Sequence, residues 1–238
     1  EPLADNLLIS QSKKWIENEK FEKFVKYFSC NSETDILSEF FFLLSNLFSS
    51  QEMYEQSNFF LRISEYLNNK FYFNLSLLAE NYYLNENYKD AEKILNVFKN
   101  KDENYNWYRV KKIGKILSEE GKENEALKFT EKYFNSTSKS SVKMLYDMAN
   151  IYKRFEKYEE AIKYYSLLLT KVKKDSYAYS RILYRRGSSF ERKGDYEKAD
   201  KDLLYSLKIF PGDPYTMNYL AYSWLERNYK VNQAIEML

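Results

Sequence analysis

Small and large side chains recur along this chain at a fixed spacing, and the stretch 180–213 shows it most clearly. There Gly187, Phe190, Gly194, Tyr196, Ala199, Leu203 and Pro211 follow the order small, large, turn, large, small, large, stop. The spacing predicts two antiparallel helices joined by a tight turn. Gly187 and Ala199 supply the small pair at the crossing, where a larger residue would overpack it at a cost of roughly 1–3 kcal/mol. Phe190, Tyr196 and Leu203 flank the crossing and are expected to fill the space between one hairpin and the next. Gly194 suits a turn with positive φ. Asp213-Pro214 has the order of an N-cap and first residue that opens the next helix.

Carried through the chain, this register gives approximate units 5–37, 38–71, 72–106, 107–141, 142–179, 180–213 and 214–238, the last one truncated. The eighth residue is small in every unit: Ser12, Ser45, Ala79, Gly114, Ala149, Gly187 and Ala221. The eleventh is large in every unit: Trp15, Phe48, Tyr82, Leu117, Tyr152, Phe190 and Trp224. The twentieth is Ser57, Ala91, Ala126, Ala161 or Ala199 in the inner units, and Phe24 breaks the rule in the first. Glu123 and Thr130 replace large residues in the fourth unit, which predicts the softest part of the core there. Ser176 to Tyr179 are expected to lengthen the start of the next helix, and the serines between Ser136 and Ser141 offer N-caps. The turn at Asn228 to Gln233 carries one extra residue before Ala234 and Leu238 return to register.

Composition narrows the picture. The chain has only three prolines and five glycines, all at crossings, turns or stops, which favours an all-helical fold. Aromatic residues make up 18% and supply bulk for helix packing. With 37 basic and 35 acidic residues the net charge is +2, so no global field points to nucleic acid. A single cysteine, Cys30, excludes an intrachain disulfide and a cysteine-based zinc site, and the lack of histidine removes the commonest general base and metal ligand. No run of about 18 apolar residues is present to span a membrane. Beginning at Glu1-Pro2-Leu3, the chain reads as a processed product or a fragment. It stops within a helix, leaving an apolar end near Ile235 and Leu238 that is expected to continue, meet a partner or self-associate.

The spacing of Gly187, Phe190, Gly194, Tyr196, Ala199, Leu203 and Pro211, repeated along nearly the whole chain, resembles the tetratricopeptide repeat (TPR). The resemblance implies an all-α fold, a right-handed α-α superhelix or solenoid of helical hairpins. Leu183-Tyr184-Arg185-Arg186-Gly187 and Asn218-Tyr219-Leu220-Ala221-Tyr222-Ser223-Trp224 also resemble long TPR proteins of alphaproteobacteria, many with export signals. The compartment is left open between an exported and a cytoplasmic one.

In TPR arrays the first helices of successive units line a concave groove, and ligand contacts come from a few fixed positions on them. Carried over, these positions imply the candidate ligand-binding residues Tyr108, Lys111, Lys112, Lys115, Lys143, Tyr146, Asn150, Arg154, Arg181, Tyr184, Arg185, Arg192, Asn218 and Tyr222. Lys153, Glu191 and Tyr219 fall on the same set of positions. Earlier units contribute more apolar groups, among them Phe42, Leu43 and Phe73. A basic centre beside an apolar end suits a peptide that carries acidic groups or a terminal carboxylate. A TPR clamp for a peptide C-terminus would also need two asparagines, but Lys115 and Asp147 stand in those places.

Three function classes follow. The first is a noncatalytic protein-interaction scaffold with no cofactor and no metal. The second is a structural, oligomerising segment of a larger protein. The third is a single-stranded nucleic-acid binder, using tyrosines between basic groups, against which the near-zero net charge and lack of a basic tail weigh. Catalysis is not expected: there is no Gly-rich phosphate loop and no histidine for a triad. Acidic pairs such as Glu159 and Glu160 are neighbours that point apart on a helix.

Overall fold

Helices in this protein begin where a short polar side chain can take up the first free backbone N–H groups. In the computed structural model the Ser141 hydroxyl accepts from the Met144 N–H at 3.2 Å, and Ser176 accepts from Tyr179 at 3.2 Å. Asp213 accepts from the Thr216 N–H at 3.2 Å, with Pro214 in the first turn. The structure describes residues 32–138 and 140–238, together with Ile16, Glu19, Phe21 and Glu22. The expectations for Ser12, Trp15, Phe24 and Cys30 lie outside the described residues.

Twelve α-helices and no strands occur among the described residues. They are α1 (Glu33–Ser50), α2 (Tyr54–Leu67), α3 (Phe73–Leu84), α4 (Tyr88–Leu95), α5 (Glu103–Glu119) and α6 (Glu123–Ser136). After these come α7 (Val142–Arg154), α8 (Tyr158–Leu169), α9 (Tyr177–Arg192), α10 (Tyr196–Ile209), α11 (Pro214–Glu226) and α12 (Val231–Met237). A 3-10 turn, Asn96–Asn100, follows α4. The fold divides into two compact units, one ending at Thr130 and one running from Glu131 to Leu238.

Within each unit consecutive helices pair as hairpins, and a left-handed residue makes each tight turn. The residue is Glu52, Glu86, Gly121, Glu156, Gly194 or Asn228, with φ between 51° and 85°. Only two of the six are glycine, so the glutamates carry backbone strain that glycine would avoid. The longer turn before α12 adds a second left-handed residue, Lys230, at φ 44°.

The first unit is built on a core of Leu61, Leu75, Leu78, Ala91, Leu95, Phe98 and Tyr105, among others. Beneath it lies a buried polar network. The Asn81 amide donates to Ser57 Oγ at 2.7 Å and to Asn58 Oδ1 at 2.8 Å, and its carbonyl accepts from Ser49 Oγ at 2.6 Å. Burying these groups is tolerable because each has a partner.

In the second unit α9 and α10 cross closely at Gly187. A Cβ there would lie 3.0 Å from Leu203 Cγ and 3.2 Å from the Ala199 carbonyl oxygen. Leu203, Leu220, Ala221, Trp224 and Ala234 form the core beyond it. Arg186 ties α9 to α10, with Nε and Nη2 on the Asp202 carboxylate at 2.7 and 2.8 Å and Nη1 on Ser166 at 3.0 Å. One expectation needs correcting: Tyr196 is 43% exposed instead of filling space between hairpins, and the Arg227 guanidinium covers its ring at 4.6 Å. Its place opening α10, beside the turn, puts it at the edge of the crossing.

Both units also use the same serine staple. Ser38 and Ser64 in the first, and Ser180 and Ser206 in the second, are fully or almost fully buried and lie 26 residues apart. Each hydroxyl donates to the opposite residue's carbonyl, the two oxygens of each pair being 3.0 and 2.9 Å apart. Side chains this short let two helix backbones approach while leaving no hydroxyl unpaired.

Candidate functional site

The amphipathic pattern of α7 and α9 buries Met144, Leu145, Met148 and Ala149 on one helix and Ile182, Leu183 and Gly187 on the other. That packing sets the polar faces of both helices, and of α11 beyond them, on one side. It thereby brings Asn150, Lys153, Arg154, Arg185, Arg192 and Tyr219 around one open depression of about 520 Å³. Glu156 and Tyr158, from the α7–α8 turn and the start of α8, complete the wall. All lie in the second unit. Four candidates from the sequence, Asn150, Arg154, Arg185 and Arg192, meet here together with Lys153 and Tyr219.

Three cations of this depression, Lys153, Arg185 and Arg192, are poorly matched by acids. The Lys153 ammonium donates to Ser188 Oγ, whose own hydroxyl donates to the Arg185 carbonyl at 3.0 Å. Burial, with the charges of Arg185 and Arg192, lowers the Lys153 pKa from the usual 10.5 to about 8, against a smaller opposing pull from Glu191. Arg185 Nε is buried with no hydrogen-bond partner. Arg192 is held by the Tyr158 hydroxyl, which favours its charged form. Among the described residues no carboxylate forms an ion pair with Lys153, Arg185 or Arg192. Arg154 stacks over Phe155 at 5.0 Å. The nearest acid on α9, Glu191, accepts instead from the Tyr219 hydroxyl at 2.7 Å, and burial and this bond raise the Tyr219 pKa.

Asn150 contributes its amide in a fixed sense. Its Oδ1 accepts from the Tyr165 hydroxyl at 2.7 Å, leaving Nδ2 as the group able to donate outward. Tyr184 packs edge-on against Tyr219 at 5.8 Å, and the Arg181 guanidinium lies 5.8 Å from the ring centres of both Tyr184 and Tyr215. This gives the depression an aromatic flank.

The remaining candidates sit elsewhere. Lys143 pairs with Asp147 one turn along α7, and both side chains are largely buried, so its charge is already matched. Tyr146 packs against Tyr165 with ring centres 6.4 Å apart. Asn218 and Tyr222 are exposed on α11. Tyr108, Lys111, Lys112 and Lys115 belong to the first unit. There Lys112 pairs with Glu80, Lys115 covers the Tyr83 ring at 4.4 Å, and Tyr108 donates to the Ser76 carbonyl at 3.3 Å. Tyr158 and Glu156 lie outside the positions implied by the resemblance, because they belong to a turn and a second helix. The left-handed turn at Glu156, which follows α7 directly, is the local feature that brings them to the site.

Among the described residues no helix is long and apolar enough to cross a membrane, and no group of three or more His, Cys, Asp or Glu is placed to hold a metal ion. A comparison with curated proteins gives no match. The Tetratricopeptide repeat family matches residues 142–170 and 180–213, which include Asn150, Lys153, Arg154, Arg185 and Arg192. Among solved structures, a tetratricopeptide repeat protein from Parabacteroides merdae ATCC 43184 is similar over 84% of this chain and 77% of its own, with TM-score 0.60 and 14% identity. A chain of the APC/C hetero-tetramer Cut9-Hcn1 is similar over 93% of this chain and 42% of its own, with TM-score 0.56 and 12% identity. The MamA RS-1 ArsTM double mutant is similar over 68% of this chain and 88% of its own, with TM-score 0.52 and 14% identity. At these identities the likeness is one of fold. Two repeats matched in sequence, helical hairpins throughout the described residues and solved TPR structures of the same fold agree: this chain has the fold of tetratricopeptide repeat proteins, and its residues 142–170 and 180–213 match that family.

Proposed function

We propose that the chain is a noncatalytic scaffold that binds an acidic segment of another protein, anchored at the basic depression of the second unit. The observation that carries this reading is the excess of positive charge there. Lys153, Arg185 and Arg192 line the depression with no carboxylate paired to them among the described residues, and Arg185 Nε is buried without a partner. Charged donors held by packing and lacking an acid gain most from an incoming anion, since charge-assisted hydrogen bonds are the stronger kind. The aromatic flank of Tyr184 and Tyr219 offers apolar contact for the rest of an extended segment.

The test compares capture from the source lysate by the native chain with capture by an Arg185→Glu, Arg192→Glu variant shown by circular dichroism to stay folded. A Lys112→Glu variant serves as control, because Lys112 is in the other unit and already paired with Glu80. A partner held by the native chain and the control but lost with the double variant supports the proposal. Identical capture by all three refutes it.

A further inference from the structure

One lysine of the second unit lies among groups that suit an anion better than an ammonium. Lys153 of α7 stands within electrostatic reach of Arg185 and Arg192 of α9, and no carboxylate is ion-paired with any of the three among the described residues. The Nε of Arg185 is buried without a hydrogen-bond partner. Asn150, one turn back on α7, has its Oδ1 held by the Tyr165 hydroxyl at 2.7 Å, which leaves Nδ2 to donate. Guanidiniums that repel an ammonium attract a carboxylate put in its place. We infer that Lys153 is a carbon dioxide site, its amine taking up the gas as a carbamate whose oxygens are held by Arg185, Arg192 and Asn150. The inference goes beyond the acidic-segment reading and does not need it.

The step balances without a cofactor. The lone pair of the neutral Lys153 amine forms the new C–N bond, one C=O electron pair of carbon dioxide moves onto oxygen, and the nitrogen releases a proton to water. The carbamate nitrogen keeps a single N–H. Ser188 matches that count, since its Oγ accepts from Lys153 while its own hydroxyl donates to the Arg185 carbonyl at 3.0 Å. The reaction needs a free amine, and burial, with the charges of Arg185 and Arg192, lowers the Lys153 pKa from 10.5 to about 8 against a smaller pull from Glu191. The groups around it are Arg185, Glu191 and Arg192 of α9, Tyr158 of α8 and Tyr219 of α11, with Arg154 and Glu156 on its own side. Glu191 is the acid that opposes a carbamate, and it is engaged by the Tyr219 hydroxyl at 2.7 Å.

The first unit shows the arrangement with its carboxylate built in. In a register that starts units at 72, 107, 142 and 180, Lys112 is the sixth residue of its unit and meets Glu80, the ninth of the preceding one. The same two places in the second unit hold Arg185 and Asn150. A carbamate on Lys153 would bring to Arg185 the carboxylate that the sequence omits at Asn150.

Trapping in the full chain tests this. The protein is equilibrated at about pH 8 with isotopically labelled carbon dioxide, alkylated with triethyloxonium ion, which fixes a carbamate as its ethyl ester, and digested for mass spectrometry. Lys153 should carry at least tenfold more label than Lys112, whose ammonium is paired with Glu80. Acetylation by acetic anhydride, run in parallel, reads the free amine alone and so separates a reactive lysine from a held carbamate. In Arg185→Gln, shown by circular dichroism to stay folded, the ratio of carbamate to acetyl adduct on Lys153 should fall roughly fivefold or more, because a charge-assisted donor to the anion is gone. Asn150→Asp, which sets a carboxylate against the carbamate, should lower the same ratio, and Lys112→Gln should leave it unchanged. No trapped carbamate on Lys153, equal labelling of Lys153 and Lys112, or a ratio unmoved by Arg185→Gln overturns the inference. The capture experiment judges the acidic-segment reading separately in every case.

Discussion

The surroundings of Lys112 and of Arg185 are built from the same repeat and settle their charges in opposite ways. Near Lys112 the cation meets Glu80, and its neighbour Lys115 lies over Tyr83. Near Arg185 the equivalent place is filled by Asn150, the guanidinium keeps a buried N–H without a partner, and Lys153 is held in part of its range as a neutral amine. Salt bridges between partly exposed groups contribute little to stability, so neither arrangement is needed for folding. The difference teaches that a repeat fixes where a side chain points and leaves open whether its charge is spent internally. Of these two places, the one around Arg185 has charge in reserve.

The largest effect is expected where the two units share a device and differ in tolerance, at the crossing glycines. A Cβ on Gly187 would press on Leu203 Cγ and on the Ala199 carbonyl, and backbone cannot move aside cheaply. Gly187→Leu should lose about 3 kcal/mol or more by overpacking. At Gly114 the only close atom is Thr130 Oγ1, 2.8 Å from the added Cβ, which can leave its bond to the Ala126 carbonyl by rotating. Gly114→Ala should therefore come out near neutral, because the alanine's better helix propensity, about 1 kcal/mol, offsets that rotation. Chemical denaturation of both variants measures the contrast. Equal losses would show that the crossings are alike and that Thr130 is as fixed as backbone.

Those crossings were legible because a small residue recurs in a fixed place. Gly187 and Ala199, the caps Ser141 and Asp213, the start of α9 ahead of Ser180, and the extra residue in the Asn228 turn all announce themselves by type and spacing. What could not be read is how polar residues divide the work. Ser38 and Ser64 form a staple just as Ser180 and Ser206 do, yet on paper each is merely small. Ser57 stands in a place that favours alanine and anchors the Asn81 network instead. The same holds for charge: Lys112, Lys143 and Arg185 look interchangeable along the chain, and only their neighbours in space make two of them paired and one not. The glutamates at left-handed turns were hidden for a different reason, since that residue type does not signal positive φ.

A smaller effect should appear in the pH dependence of stability, where Lys153 of the second unit supplies the change between pH 8 and 10. The Lys153 pKa is lower in the folded chain, about 8, than its ordinary 10.5, so between these values the unfolded chain binds more protons. Stability therefore rises with pH across that window, after carrying the full penalty of a buried charge below about pH 8. The gain is on the order of 1–3 kcal/mol. Tyr165 and Tyr219, whose pKa values are raised by burial, oppose it above about pH 10, where the unfolded chain ionises its tyrosines first. Denaturation between pH 7 and 10 should show the rise in the native chain and lose it in Lys153→Met. A native profile that is flat or falling over that range would mean Lys153 is well solvated.

The smallest effect is the most direct attempt to turn one unit into the other. Glu80→Gln removes the acid from Lys112 while keeping the shape of its side chain, and so recreates the amide-for-carboxylate exchange seen at Asn150. The pair is partly exposed, with 24% and 31% of the two side chains open to solvent. Its loss should cost only about 0.5 kcal/mol, a shift of a few degrees or less in Tm. No capture of an acidic segment should follow from it, because Lys112 and Lys115 remain partnered with the Tyr83 ring and no arginine pair converges on them as Arg185 and Arg192 do. If Glu80→Gln restored capture of the partner in the Arg185→Glu, Arg192→Glu background, a single released cation would be enough to make a site. The convergence of Lys153, Arg185 and Arg192 would then lose its meaning.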